Sequence, residues 1–443
     1  MKPEPYSIIL AAVTVLAGST IGSGETLTLD AESAARMAIE ASTLTLAAEE
    51  RVEASQSSVK AADASRLPVL SVNATAAYQS AVPEFAAPID GPGQPPTVIF
   101  PNIQTTYSAD LSVSQPIFTG GAISATREAA QLDQSATTWS QRLTTIELSN
   151  RARLLYWSAV AAAAGVDVAK AQLNRTQRLL GDARALREAG MAVDADIFAA
   201  EARFSAAEVD LIRNRNEEEQ SLARLRSLLG INDGSELSLG DAGTNQIPPS
   251  PPALGDLQRT ALEKRPELRI TDAQIDGLGA QARAVNARRR PMVAATGQWL
   301  VARPNQRYLP LEDVVNDSWR VGVGASWQLF DGSRTKEQVA TVHAEQRALR
   351  HDRSDLERQI LLEVATARLE LESALEAVVA ADASADAAAA WEQASSERYA
   401  AGLAMLSELL DAQADLTSAE VAQIRTRVRA WMADATLRRA VGR

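Results

Sequence analysis

The sequence predicts an α+β chain of two tandem structural repeats, each placing a pair of β-strands ahead of a long helical hairpin. Three observations predict it: a duplication, strict apolar/polar alternation in two short intervals, and two proline-free stretches of helical character. The duplication comes first because repeats dictate architecture. Gly402 repeats Gly190 at an offset of 212 residues, and Glu408 repeats Asp196 at the same offset. Ala419-Glu420-Val421 likewise repeats Ala207-Glu208-Val209, and Phe330-Asp331-Gly332 repeats Phe118-Thr119-Gly120. Nearer the start of each half the offset is 223, matching Glu40 to Glu263 and Pro68 to Pro291, so the 11-residue difference places loops between the prolines and the phenylalanines.

In chain order, residues 1–24 read as an export signal: Lys2 precedes an apolar run from Ile8 to Ala17, with small residues at Val15-Leu16-Ala17 for cleavage. That run is too short to span a bilayer as a helix. No other uninterrupted apolar stretch is long enough, so membrane insertion is expected to use strands. The first repeat spans 25–240, a linker ending in the prolines of 248–252 spans 241–253, and the second repeat spans 254–443. Each repeat opens with a helical pattern, Leu29 to Arg66 and Leu254 to Arg290, carried in the first by Ala35, Ile39, Leu46, Val52 and Val59.

Strands are predicted at about 68–80, 105–118, 291–303 and 318–330. Trp319, Val321, Val323, Ala325, Trp327 and Leu329 share one face, opposite Arg320, Gly322, Gly324, Ser326 and Gln328. Tyr107, Ala109, Leu111 and Val113 oppose Ser108, Asp110, Ser112 and Ser114 in the same way. Side chains alternate across a strand, so each strand has an apolar and a polar face. The intervals Pro68–Phe118 and Pro291–Phe330 hold ten of the 19 aromatic residues, as the interfacial girdles of a membrane barrel would. Four strands cannot close a barrel, and an open edge in lipid leaves backbone groups unpaired. A homotrimer supplying 12 strands is the simplest repair.

All 18 prolines lie outside Ile117–Ile247 and Leu311–Arg443. Such stretches permit unbroken helix, and from Gly121 to Gly190 a helix would span about 100 Å at 1.5 Å per residue. Leucines seven apart, such as Leu179 with Leu186 and Leu362 with Leu369, suggest laterally packed coiled-coil helices. Gly190 and Gly402 sit where each hairpin must turn.

Composition excludes several classes. There is no Cys, hence no disulfide, no thiolate metal site and no lipidated Cys anchor. A net charge of −12 argues against a nucleic-acid partner. His343 and His351 are eight apart and not at chelating spacing, so no metal or cofactor is expected. No residue set calls for acid–base or nucleophilic catalysis, so the chain is not expected to be an enzyme.

The ordered set of these features resembles the TolC family of outer-membrane channel proteins. The resemblance is carried by the strand-to-helix junctions Ser114-Gln-Pro-Ile-Phe118-Thr-Gly120 and Trp327-Gln-Leu-Phe330-Asp-Gly332. Further carriers are the segment from Ala261 to Leu268 and the tip from Gly402 to Asp411. It implies a trimeric 12-stranded barrel in the outer membrane, four strands per protomer, continued by an α-helical coiled-coil tunnel in the periplasm. It also implies a periplasmic adaptor, an inner-membrane pump of RND or ABC type, and export of drugs, toxic small molecules or proteins. By the same resemblance Glu408 and Asp411 line an acidic periplasmic aperture, three apart on one helical face. Asp196 and Tyr399 would latch the entrance; the family's arginine falls at Ala404 here, so a less firmly latched entrance is expected. Gly190, Met191, Gly402 and Leu403 would meet the adaptor, and Phe118, Gly120, Phe330 and Gly332 mark the junctions. A soluble coiled-coil scaffold without a pore is the competing expectation.

Overall fold

Where apolar and polar residues alternate, the computed structural model of the protein forms sheet; it describes residues 27–89, 91, 93–231, 237–240 and 246–443. The predicted signal segment and the start of the linker lie outside these. The described chain runs β1 (Leu27–Leu29), α1 (Ala31–Ala41), α2 (Thr43–Ala64), β2 (Val69–Tyr78), β3 (Phe85–Ala87), β4 (Thr97–Phe100) and β5 (Thr105–Phe118). Helix α3 (Ala122–Glu188), α4 (Asp194–Leu229), β6 (Leu237–Leu239), α5 (Leu254–Lys264) and α6 (Pro266–Asn286) follow. The chain ends with β7 (Met292–Arg303), β8 (Asn316–Ser326), α7 (Arg334–Ala400) and α8 (Leu406–Ala440). The duplication survives in the lengths: α3 and α7 are 67 residues each, and α4 and α8 are 36 and 35.

Two compact units result, and neither is a repeat. One comprises the described parts of Met1–Ser42, Ile146–Leu254 and Ala365–Arg439; the other comprises Thr43–Thr145, Gly255–Val364 and Ala440–Arg443. Each therefore draws segments from both repeats.

The second unit holds a four-stranded antiparallel sheet in the order β2-β5-β7-β8. Register pairs like with like: Ser71 with Ser112 and Gln298 with Arg320 on one face, Val72 with Leu111 and Trp299 with Trp319 on the other. On the polar face Ser71 Oγ and Ser112 Oγ lie 2.7 Å apart, Asn73 donates to Asp110, and Arg320 Nη2 donates to Gln298 Oε1 at 3.1 Å. The apolar face is left open, with Val72 and Val321 72% and 74% exposed. The last strand is shorter than predicted. Its partner β7 begins at Met292, which pairs with Ser326, so Trp327, Leu329 and Phe330 have no ladder to join. Trp327 Nε1 instead donates to the carbonyl of Arg289. Strand β5 does reach Phe118, by a register shift after Pro116, whose missing N–H already interrupts the ladder.

The opening helix of each repeat is broken in two. Ser42 adopts an extended conformation between α1 and α2, and Pro266 starts a new helix at its first turn, with Arg265 before it extended. Buried Arg265 then ties this joint to the chain end, donating to the carbonyl of Ala440 and pairing with Glu267 and Glu363.

The first unit is built on a core of Leu29, Tyr156, Trp157, Leu225, Leu229 and Leu237. Trp157 stacks on Trp431 with ring centroids 5.0 Å apart. Strands β1 and β6 form a parallel pair in this unit, which periodicity did not predict because each is only three residues long. Asp30 and Ser33 cap α1 reciprocally, and the hydrogen bonds from Ser33 hold the Asp30 carboxyl below its ordinary range. Glu32 is lowered as well, first by its hydrogen bonds from Arg153 and then by nearby Arg438. Burial pushes Asp434 up. One expectation is corrected here. Helix α3 contains an 18-residue window of mean hydropathy 1.2, long and apolar enough by composition to cross a membrane. Its Tyr156, Trp157 and Val160 are buried in the core of this unit, so the apolarity serves packing.

Candidate functional site at the hairpin tips

The hairpin tips belong to the first unit, and both repeats turn in the same way. Gly190 and Gly402 have φ of +76° and +68°, the left-handed conformation that glycine adopts without steric cost. At the first tip Met191 N donates to Leu186 O and Gly190 N to Arg187 O. At the second, Leu403 N donates to Arg398 O and Gly402 N to Tyr399 O. These are two complete Schellman closures, which satisfy carbonyls that a helix end would leave bare. The tips also touch: a Cβ on Gly402 would lie 2.4 Å from the methyl of Met191, so glycine there admits the methionine. Beneath them Leu179, Ala183, Ala200, Tyr399, Leu406 and Leu409 form a buried cluster, with Ala404 packed against it.

The acidic residues at equivalent positions do different work. Asp196 sits in the first turn of α4 and accepts from Val193 N at 3.1 Å, capping the helix. Glu408 sits in the first turn of α8 and is ion-paired with Arg398, the residue before Tyr399. Asp411 is exposed on the same helix. The expected latch between Asp196 and Tyr399 is not formed among the described residues: the Tyr399 hydroxyl is buried there without a hydrogen-bond partner, and Asp196 is engaged by its own helix end. Burial raises the Tyr399 phenol above its ordinary value, and the negative charges of Asp196 and Asp182 add to it. Ala404 packs in the apolar cluster, while Arg398, six residues earlier, supplies a charge-assisted bond to Glu408. Sequence spacing could not show this pair, because it closes across a turn. Met191 and Leu403 are 61% and 73% exposed, with Met405 beside them, leaving an apolar tip surface.

The strand-to-helix junctions lie in the second unit. Gly120, at φ +63°, is crowded: a Cβ would meet Arg290 Cβ at 2.7 Å and Ala287 O at 2.8 Å, and Arg290 Nη1 donates to Gly120 O. Gly332, at φ +66°, has open space around it. Phe118 and Phe330 are both exposed.

A family model described as outer membrane efflux protein matches residues 35–231 and 257–443, most of the chain and both repeats. The chain belongs to the outer membrane efflux protein family. Members of this family are non-enzymatic channels, and this chain is an outer-membrane efflux channel protein extending into the periplasm. No curated protein matches it. Solved structures share its fold. Over 94% of this chain and 93% of the other it superposes on the channel-forming protein CusC with a TM-score of 0.77 at 17% identity. The outer membrane protein VceC from Vibrio cholerae gives 0.75 at 17% identity over 93% and 96%. The MtrE outer membrane channel of Neisseria gonorrhoeae, solved in its open state, gives 0.75 at 19% identity over 93% and 88%.

Proposed function

We propose that three copies of the chain close a 12-stranded barrel and form a passive conduit, with export driven by a separate inner-membrane pump. The open sheet carries this reading. Strands β2 and β8 are its edges, each bonded to a single neighbour, and its apolar face is bare. Water disfavours the bare apolar face and lipid disfavours the unpaired edges, but edge-to-edge closure with apolar residues outward in a bilayer resolves both. The apolar hairpin tips around Met191 and Leu403 are the surface for a periplasmic adaptor, since exposed apolar patches mark docking sites. Such an assembly serves a tripartite efflux or type I secretion system exporting drugs, toxic small molecules or proteins, with the pump, of RND or ABC type, choosing the cargo.

At the entrance, threefold repetition sets Glu408 and Asp411 around one pore, where an acidic ring favours cations. Arg398 tempers that ring by pairing Glu408 within each copy. The test is heat-modifiable gel mobility of protein extracted from membranes, followed by planar-bilayer conductance. A detergent-stable trimer with cation-selective currents, weakened in Glu408→Gln/Asp411→Asn, is the expected result. A monomer without conductance overturns the proposal.

A further inference from the structure

The polar face of the sheet is not bare at one end. The β3–β4 hairpin and the loop from Pro304 to Val315 fold over it and meet, Leu311 N donating to Ile99 O at 3.0 Å. Asn305 anchors the second loop. It is buried, its amide donates to Asn316 O and to Ser318 Oγ, and its carbonyl oxygen accepts from Arg307 N. Beneath these loops lies a cleft of about 790 Å³, within the size range of small-molecule sites.

The lining of this cleft is chemically one-sided. Val82, Phe100, Leu300 and Leu311 supply apolar wall, and among the described residues the charged ones in the lining are Arg307 and Arg320. Arg307 spends one donor on the carbonyl of Trp319 and Arg320 one on Gln298. Neither forms an ion pair among the described residues, whereas Arg303, on the other face of the sheet, is neutralised by Asp313 at 3.0 Å. Two unneutralised guanidinium groups beside apolar wall are unexpected in a chain of net charge −12.

We infer that this cleft is a binding site for amphipathic organic anions, whose acidic group is held by Arg307 and Arg320 and whose planar or apolar body lies against Phe100 and Leu311. The assignment of the site to the mouth of a conduit rests on the proposed reading of the polar face as lumen; the site itself does not. In that setting three copies make a basic ring, which favours anions. The conduit is then acidic at its hairpin tips and basic beneath its outer loops.

The probe is 1-naphthalenesulfonate, titrated calorimetrically into the full chain in an uncharged detergent, with 1-naphthylmethylammonium as the cationic control. The sulfonate is expected to bind saturably and about tenfold more weakly to Arg307→Gln/Arg320→Gln, the loss of two exposed charge contacts. Arg307→Gln alone, on an exposed loop, should weaken binding about threefold, which keeps the test intact if the double variant fails to fold. Equal affinity of wild type and the glutamine variants, or equal binding of the cation, overturns the inference. In bilayers the sulfonate should reduce current from the loop side only, and only in wild type. Arginine-dependent binding by a protein without conductance would keep the site and sink the lumen reading instead.

Discussion

The two copies of the duplicated unit agree in backbone and differ in chemistry. Both tips close with the same pair of hydrogen bonds around a left-handed glycine. Yet Asp196 caps a helix where Glu408 holds an arginine. Glu420 is gripped by buried Arg175 through both carboxylate oxygens, and Arg175 Nη2 also donates to Thr417. Its equivalent Glu208 is exposed and forms no ion pair among the described residues, because the position equivalent to Arg175 is Ala387. Gly120 is packed against backbone where Gly332 is free. Backbone turns are local and survive duplication unchanged, whereas side-chain partnerships depend on what lies opposite and diverge once the two copies face each other.

That contrast can be broken or sharpened by paired substitutions. The largest effect is expected at Arg175→Ala, which strips the partner from a partly buried carboxylate and should cost about 3 kcal/mol. Glu208→Ala should leave the unfolding free energy from urea titration unchanged within about 0.5 kcal/mol, as for surface sites generally. Similar shifts for the two would refute the asymmetry. Next comes Gly120→Ala, which combines left-handed strain with a collision against the Ala287 carbonyl, for about 2–3 kcal/mol. Gly332→Ala carries only the strain, about 1 kcal/mol. Thermal melts of the detergent-solubilised variants decide between them.

A smaller loss, about 1 kcal/mol, is expected for Asp196→Ala through its cap. The companion cap at Asp30 also makes a pH prediction. Its folded-state pKa is lowered, so its contribution is complete above the ordinary aspartate value of 3.8 and disappears as pH falls through the lower folded value. The acid limb of the unfolding profile should therefore lose that component in Asp30→Asn. Smallest is Tyr399→Phe, which removes a buried hydroxyl that has no partner and should leave stability unchanged or raise it by about 1 kcal/mol. A marked destabilisation would show that the hydroxyl is satisfied in the assembled protein, as the latch expectation requires.

Much of the fold was legible in the chain. The offset of 212 residues located both turns, and alternation located the strands to within a few residues, because strand faces and helix turns are written in local periodicity. Strand ends were less legible. Trp327 and Phe330 continue the apolar pattern past Ser326, but a strand stops where its partner stops. The candidate site was only half readable: Gly190 and Gly402 announced themselves, while the pairing of Arg398 with Glu408 and the isolation of the Tyr399 hydroxyl did not. No spacing rule links residues ten apart across a turn.

By itself, then, the sequence determined the duplication, the order of strand pair and helical hairpin in each copy, and the glycines that turn the chain, since each depends on neighbours within a few residues. Only the tertiary structure decided that the compact units interleave the repeats, and that Leu27–Leu29 pairs with Leu237–Leu239 across the first repeat. It likewise decided that two loops close over the polar sheet face and leave Arg307 and Arg320 facing one cleft. The reason is physical: these contacts join residues far apart in the chain, and their energy comes from packing and charge in three dimensions, which no local pattern encodes.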